Sequence, residues 1–218
     1  MIPPLYAILD ASPEFAAESA FNIPEIADRL VEAGVELLQY RDKHGSARRI
    51  LDSSQALAAR FVPKGVRVIV NDRADIAAMG GAAGVHVGQE DLPVDEARKI
   101  CGAPLWVGVS THTLEQLRAA EATSADYIAV GPIFPTGTKA NPDPVVGLEF
   151  LRAARQLTRK PLVAIGGITV ESAGEVYRAG ADSIAVIRDL MAARDPAHRA
   201  REYLAIARRV RPARPADN

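Results

Sequence analysis

Eight short apolar runs divide this chain, each stopping at polar residues and each followed by a stretch of helical periodicity. The clearest pair spans Val66 to Asp91. Val66–Val70 runs into Asn71 and Asp72, and Gly84–Val87 runs into Gln89, Glu90 and Asp91. The single short helical pattern between them is enough chain to return for a parallel neighbour. The other runs are Leu5–Leu9, Val35–Gln39, Trp106–Val109, Tyr127–Val130, Leu162–Ile165 and Ser183–Ile187. Helices are predicted over Ile23–Ala33, Ser46–Phe61, Pro93–Ile100, Thr113–Ala122, Leu148–Leu157, Ser172–Ala179 and Ala197–Val210. Ala11–Asn22 reads as a loop or a short helical excursion.

Runs that are apolar throughout are buried on both faces, as the strands of a parallel sheet are. Three helix-to-strand junctions share a glycine after alanine, at Gly34, Gly84 and Gly180, where a left-handed turn is expected. No Gly-x-Gly-x-x-Gly follows the first run, which counts against an open doubly wound sheet. The expected fold is α/β, a single-domain (β/α)8 TIM barrel over residues 1–210, with 211–218 a frayed tail.

Among its 218 residues, formal charge sums to −1, which argues against a general nucleic-acid or membrane-surface role. No apolar run approaches the ~20 residues of a membrane span. Cys101 is the single cysteine, so no internal disulfide can form, and a buried apolar role in a reducing compartment is expected. The start of the chain lacks a basic segment and a cleavage pattern, so the expectation is a cytoplasmic protein without a signal peptide.

In such a barrel the strand C-termini open on one face, where active sites lie. That face gathers Gln39, Arg41 and Lys43; Asn71 and Asp72; Asp91; Ser110; Thr136, Thr138 and Lys139; Gly167; and Ile187 and Arg188. Arg41 can grip phosphate oxygens bidentately, while Lys43 and Lys139 act as mobile point charges. Asp72 and Asp91 leave adjacent strands at one edge, where two carboxylates repel unless a cation such as Mg²⁺ lies between them. The competing reading makes both of them helix N-caps. Gly166-Gly167 before a helix can bring backbone N–H groups onto a phosphate, or be a plain tight turn. The loop 131–144 could fold over a substrate or be a simple insertion. His86 alternates with apolar neighbours and reads as structural, His112 could be structural or catalytic, and His44 and His198 read as surface.

Several motifs, in order along almost the whole chain, resemble the thiamine phosphate synthase family. They are Gln39-Tyr40-Arg41-Asp42-Lys43, Asn71-Asp72, His86-Val87-Gly88-Gln89-Glu90-Asp91, Gly108-Val109-Ser110, Gly131-Pro132-Ile133-Phe134-Pro135-Thr136-Gly137-Thr138-Lys139 and Ala164-Ile165-Gly166-Gly167-Ile168. The resemblance implies coupling of a hydroxymethylpyrimidine diphosphate to a thiazole phosphate, the latter plain or carboxylated, with release of pyrophosphate. It implies two phosphorylated small-molecule substrates and Mg²⁺ on Asp72 and Asp91. It places the pyrimidine diphosphate on the Gln39–Lys43 segment (Tyr40 and Asp42 included) and Asn71, and the pyrimidine ring on Ser110. Thr136, Gly137 and Thr138 would face the thiazole, Gly167, Ile187 and Arg188 its phosphate, and Lys139 the leaving pyrophosphate. Arg41, Lys43, Ser110 and Lys139 would carry catalysis.

The chemistry of the implied reaction needs no protein nucleophile, and the sequence offers none. An electron-rich aminopyrimidine stabilises positive charge on its exocyclic carbon as diphosphate departs, and the cations stabilise the leaving group. The family pattern has serine after Val or Ile at the end of strand eight, where this chain has Ile187-Arg188. Two rivals remain from the sequence: a thiazole tautomerase on the same barrel, and a non-catalytic phosphate-ligand sensor. A homodimer and a monomer are equally compatible with the sequence.

Overall fold

The computed structural model describes residues 1–137 and 144–211. Its strands are β1 (Leu5–Asp10), β2 (Leu37–Arg41), β3 (Arg67–Asn71), β4 (Gly84–Val87), β5 (Trp106–Thr111), β6 (Tyr127–Val130), β7 (Leu162–Ile165) and β8 (Ser183–Val186). Its helices are α1 (Pro13–Glu18), α2 (Ile23–Glu32), α3 (Ala47–Phe61), α4 (Ala74–Met79), α5 (Val94–Cys101), α6 (Leu114–Glu121), α7 (Gly147–Leu157), α8 (Val170–Arg178), α9 (Arg188–Met191) and α10 (Pro196–Val210). Every strand pairs in parallel with the next, and β8 returns to β1 to close the barrel.

Side chains alternate faces along each strand. Tyr6, Ile8, Leu37, Ile69, Tyr127, Ala129, Val163 and Ala185 fill the inside of the barrel. Their neighbours Leu5, Leu9, Leu38, Tyr40, Val68 and Val70 pack outwards with Ile26, Leu30, Leu57 and Phe61 of the helices. Both faces are therefore apolar, which is why the runs read as continuous rather than alternating. Helix starts follow local capping chemistry. Asn22 accepts from Glu25 N while Glu25 accepts from Asn22 N at α2, and Thr113 accepts from Gln116 N at α6. No described helix is long and apolar enough to cross a membrane.

The structure differs from expectation in several details. Gly34 and Gly180 are left-handed, but Gly84 is already in β4 and the left-handed residue of that junction is Gly81. Gly84 is required for a different reason: a Cβ there would lie 2.2 Å from the carbonyl oxygen of Trp106 on the next strand. Arg211, placed in the tail by its surroundings in sequence, donates to the Ile2 carbonyl and caps α10. Between β8 and α10 stands the four-residue α9, too short to show a periodicity.

Candidate active site

A cavity of about 1160 Å³ opens at the strand C-termini. The inward positions of successive strands line it: Gln39 and Arg41 from β2, Asn71 from β3, His86 from β4, Ser110 from β5, and Ile165 and Ile187 at the ends of β7 and β8. Lys43, Asp72, Asp91, Thr136, Gly137, Gly167 and Arg188 complete the mouth. Tyr40 and Asp42 do not join them. Strand alternation turns them the other way, where Tyr40 packs in the outer core and Asp42, buried, pairs with Arg49 at 2.6 Å. Neither of these two lines the cavity. Thr138 and Lys139 lie outside the described residues.

Asp72 breaks the strand alternation in the useful direction. Its backbone is left-handed (φ 61°), a conformation Asp tolerates better than most residues, and both Asn71 and Asp72 consequently line the same cavity. Burial pushes the Asp72 carboxyl above the ordinary carboxylate range, a hydrogen bond with Asp91 adds to this, and the Lys43 ammonium against it pulls the other way. Asp91 is held in place by the Gly88 N–H at 2.8 Å. Neither carboxylate caps a helix, because the N-cap of α4 is Arg73 and that of α5 is Pro93.

The donor set suits Mg²⁺ held in part by its substrate. No group of three or more His, Cys, Asp or Glu among the described residues could enclose a metal ion. Mg²⁺ characteristically takes one or two carboxylates and completes its shell with substrate phosphates and water. Two carboxylates on one cavity wall, one of them drawn toward the neutral form by burial, match that demand.

Arg41 points into the mouth while its guanidinium is gripped from behind by Asp10, whose side chain is wholly buried. Asp10 in turn accepts from Ser12 N at 3.0 Å. On the opposite side, Gly166 (φ 99°) and Gly167 (φ 62°) follow β7. A Cβ on Gly166 would meet Pro132 at 2.5 Å, and one on Gly167 the Pro135 carbonyl at 2.4 Å. Ile133 N and Phe134 N donate to Ile165 and Gly166 carbonyls, stitching the loop after β6 onto this turn. Arg188, Arg194 and Arg199 line the same end, with Arg199 paired to Asp189 at 3.6 Å and Arg188 lying over the Phe15 ring at 5.1 Å.

His86 is structural in the sense expected but is also wired to the site, as Nε2 lies 2.9 Å from Ser110 Oγ. His112 lines the cavity with Nδ1 2.6 Å from the Gly131 carbonyl, and His44 and His198 are exposed. Tyr6, Arg194 and Arg199 line the cavity, and Asp10 and Tyr127 back its residues Arg41 and His86, though the sequence singled out none of the five. The two tyrosines sit within apolar runs and look like core, and Arg194, after α9, and Arg199, within α10, belong to no motif.

A closed parallel barrel with paired carboxylates, cations and a double-glycine turn around one mouth defines an enzyme that handles phosphorylated small molecules. The thiamine monophosphate synthase family model matches residues 5–190. A thiamine-phosphate synthase of Koribacter versatilis is 53% identical over 205 residues, covering 94% of this chain and 96% of the relative. One from Shouchella clausii is 42% identical over 174 residues, covering 80% and 83%. The solved thiamine phosphate pyrophosphorylase of Pyrococcus furiosus superposes with a TM-score of 0.82 at 33% identity, covering 95% and 96% of the two chains. The chain belongs to the thiamine monophosphate synthase family.

Proposed function

We propose that the barrel mouth aligns a pyrimidine diphosphate and a thiazole phosphate around one Mg²⁺, and that diphosphate departs before the new carbon–nitrogen bond forms. The overall transfer follows from family membership. The chain is a transferase of thiamine biosynthesis that couples the two phosphorylated halves to give thiamine phosphate and pyrophosphate. The relatives' names and the paired carboxylates together favour this over the tautomerase and the sensor.

The observation that carries the mechanistic reading is the placement of two unlike anion sites in one cavity. Arg41, Lys43, Asn71, Asp72 and Asp91 stand on one side, and Gly166-Gly167 with Arg188, Arg194 and Arg199 on the other. Asp72 and Asp91 would hold Mg²⁺, which supplies positive charge for the diphosphate oxygens. Arg41 and Lys43 bind the same diphosphate and stabilise the negative charge it gathers on leaving. Ser110 and Gln39 hold the pyrimidine ring in line with the thiazole nitrogen, which Thr136 and Gly137 face from the loop after β6. The cavity walls of Ile8, Ala129, Val163 and Ala185 keep water from the cationic carbon. Thr138 and Lys139 belong to the same proposal through the family resemblance.

The test is direct. Incubation with both phosphorylated halves and Mg²⁺ is expected to yield thiamine phosphate and pyrophosphate, and a chelator to abolish both. Equal product in chelator would remove the metal, and no product under either condition would remove the reaction.

Arg188 stands where the family pattern has serine, at the end of the cavity with the double-glycine turn. Arg188→Ala is expected to raise the Michaelis constant for the thiazole phosphate about tenfold, the worth of one charge-assisted contact. The constant for the pyrimidine diphosphate should not move. An unchanged thiazole-phosphate constant would show that this arginine serves Phe15 and not the substrate.

A further inference from the structure

Five polar side chains run across the inside of the barrel between two walls of the cavity. Gln39 Nε2 lies 2.7 Å from Tyr6 Oη, and Tyr6 Oη lies 3.0 Å from Tyr127 Oη. Tyr127 Oη lies 3.0 Å from His86 Nδ1, and His86 Nε2 lies 2.9 Å from Ser110 Oγ. Gln39, Tyr6, His86 and Ser110 line the cavity, Tyr127 lies behind them, and Tyr6 and Tyr127 are 1% and 0% exposed. The transfer as described has no use for Tyr6, Tyr127 or His86.

The sequence makes room for this row. Gly108 faces His86 across β4 and β5, and a Cβ there would fall 2.0 Å from the Tyr127 ring and 2.4 Å from its hydroxyl. Tyr127 consequently stacks on the His86 ring (centroids 5.5 Å apart, planes 21°) and meets Tyr6 edge to face at 5.9 Å. Burial holds both phenols above their ordinary range, so each remains a link with one proton.

Proton counting gives the row a direction. An amide nitrogen only donates, so Tyr6 Oη accepts from Gln39 and its own proton goes to Tyr127. Tyr127 then donates to His86 Nδ1, which leaves the imidazole proton on Nε2, aimed at Ser110 Oγ. Ser110 accepts there and its hydroxyl proton is directed to the cavity. Were Tyr127 to donate to Tyr6 instead, the Tyr6 proton would have no acceptor among the described side chains, a larger loss for a buried hydroxyl than one hydrogen bond brings.

We infer that Gln39, Tyr6, Tyr127 and His86 form a one-way hydrogen-bond chain that presents Ser110 to the pyrimidine half as a donor. His86 is then a positioning residue kept as its Nε2–H tautomer. This rests on the assignment of Ser110 to the pyrimidine and deepens it: the ring must offer a lone pair at Ser110, such as that of a ring nitrogen. A ring presenting a donor or a C–H there is rejected because a buried hydroxyl is left unpaired.

Nitrogen-15 NMR of the ligand-free chain, with the His86 signals identified by their loss in His86→Gln, reads the tautomer. The expected result is a protonated Nε2 and a bare, hydrogen-bonded Nδ1; a protonated Nδ1 overturns the chain. Tyr127→Phe deletes one oxygen from the row. It is expected to shift the Nδ1 signal to an unbonded position and to lower kcat/KM for the pyrimidine diphosphate about tenfold. The Michaelis constant for the thiazole phosphate should stay as it was. Wild-type kcat/KM in that variant, or lost activity with His86 signals unmoved, also overturns the proposal. The tautomer is measured without substrate, so it fails separately from the functional reading, which fails if no thiamine phosphate forms.

Discussion

Asp72→Asn is expected to lower Mg²⁺-dependent turnover by about a hundredfold or more while leaving the fold as stable as before. The activity loss follows from charge. Asn keeps an oxygen but halves the negative charge the protein offers the ion, and removal of one group aimed at transition-state charge costs about 10²–10³ in rate. The stability expectation has the opposite sign from most buried substitutions. Burial beside Asp91 raises the Asp72 carboxyl above its ordinary range, so the ionised form is a burden on the folded chain. The unfolded chain releases that proton at lower pH, and the native state loses stability as pH climbs from the ordinary carboxylate range through the raised value. Asn removes that burden and accepts the left-handed backbone at this position. Thermal melting in chelator should therefore show an equal or higher Tm, and titration with Mg²⁺ and a diphosphate ligand should show weaker metal binding. Wild-type rates in this variant would remove the metal assignment.

The fold was legible because each strand is short, apolar on both faces and bounded by a glycine or a cap. β4, β6 and β7 fall on the residues expected, while β2 is displaced from Val35–Gln39 to Leu37–Arg41. That shift matters for the site. A strand that continues to Arg41 turns Gln39 and Arg41 inwards and sends Tyr40 and Asp42 to the helix layer, so a five-residue motif supplies alternate, not consecutive, contacts. Motif reading alone gives no face. Asp10 stands at a strand end, where site residues are expected, but its pairing with Arg41 crosses from one strand to the next and has no local mark. The row from Gln39 to Ser110 joins five strands, β1, β2, β4, β5 and β6, and tyrosines within apolar runs carry no local mark of their hydroxyl partners. Short-range periodicity reports burial; it does not report who meets whom across a lumen.

The pairing of Arg41 with Asp10 allows its catalytic and structural contributions to be separated. Arg41→Ala strips a cation from the departing diphosphate and strands the Asp10 carboxylate, whose side chain is wholly buried, with only the Ser12 N–H described as a further donor to it. Leaving one member of a buried pair costs about 3 kcal/mol, which in a domain of this size lowers Tm by roughly 6–12 °C. Turnover should fall about a hundredfold at saturating substrate, as for loss of a transition-state charge partner. The double variant Arg41→Ala/Asp10→Asn replaces the stranded charge with a neutral amide and is expected to recover most of the Tm. It should recover none of the turnover, because the cation that meets the leaving group is still missing. Arg41→Lys keeps the charge without the planar fork, so it should lie between the two in rate. If the double variant regained activity along with its Tm, Arg41 would be acting through the fold alone, and the diphosphate would have to be held by the other cations of the mouth.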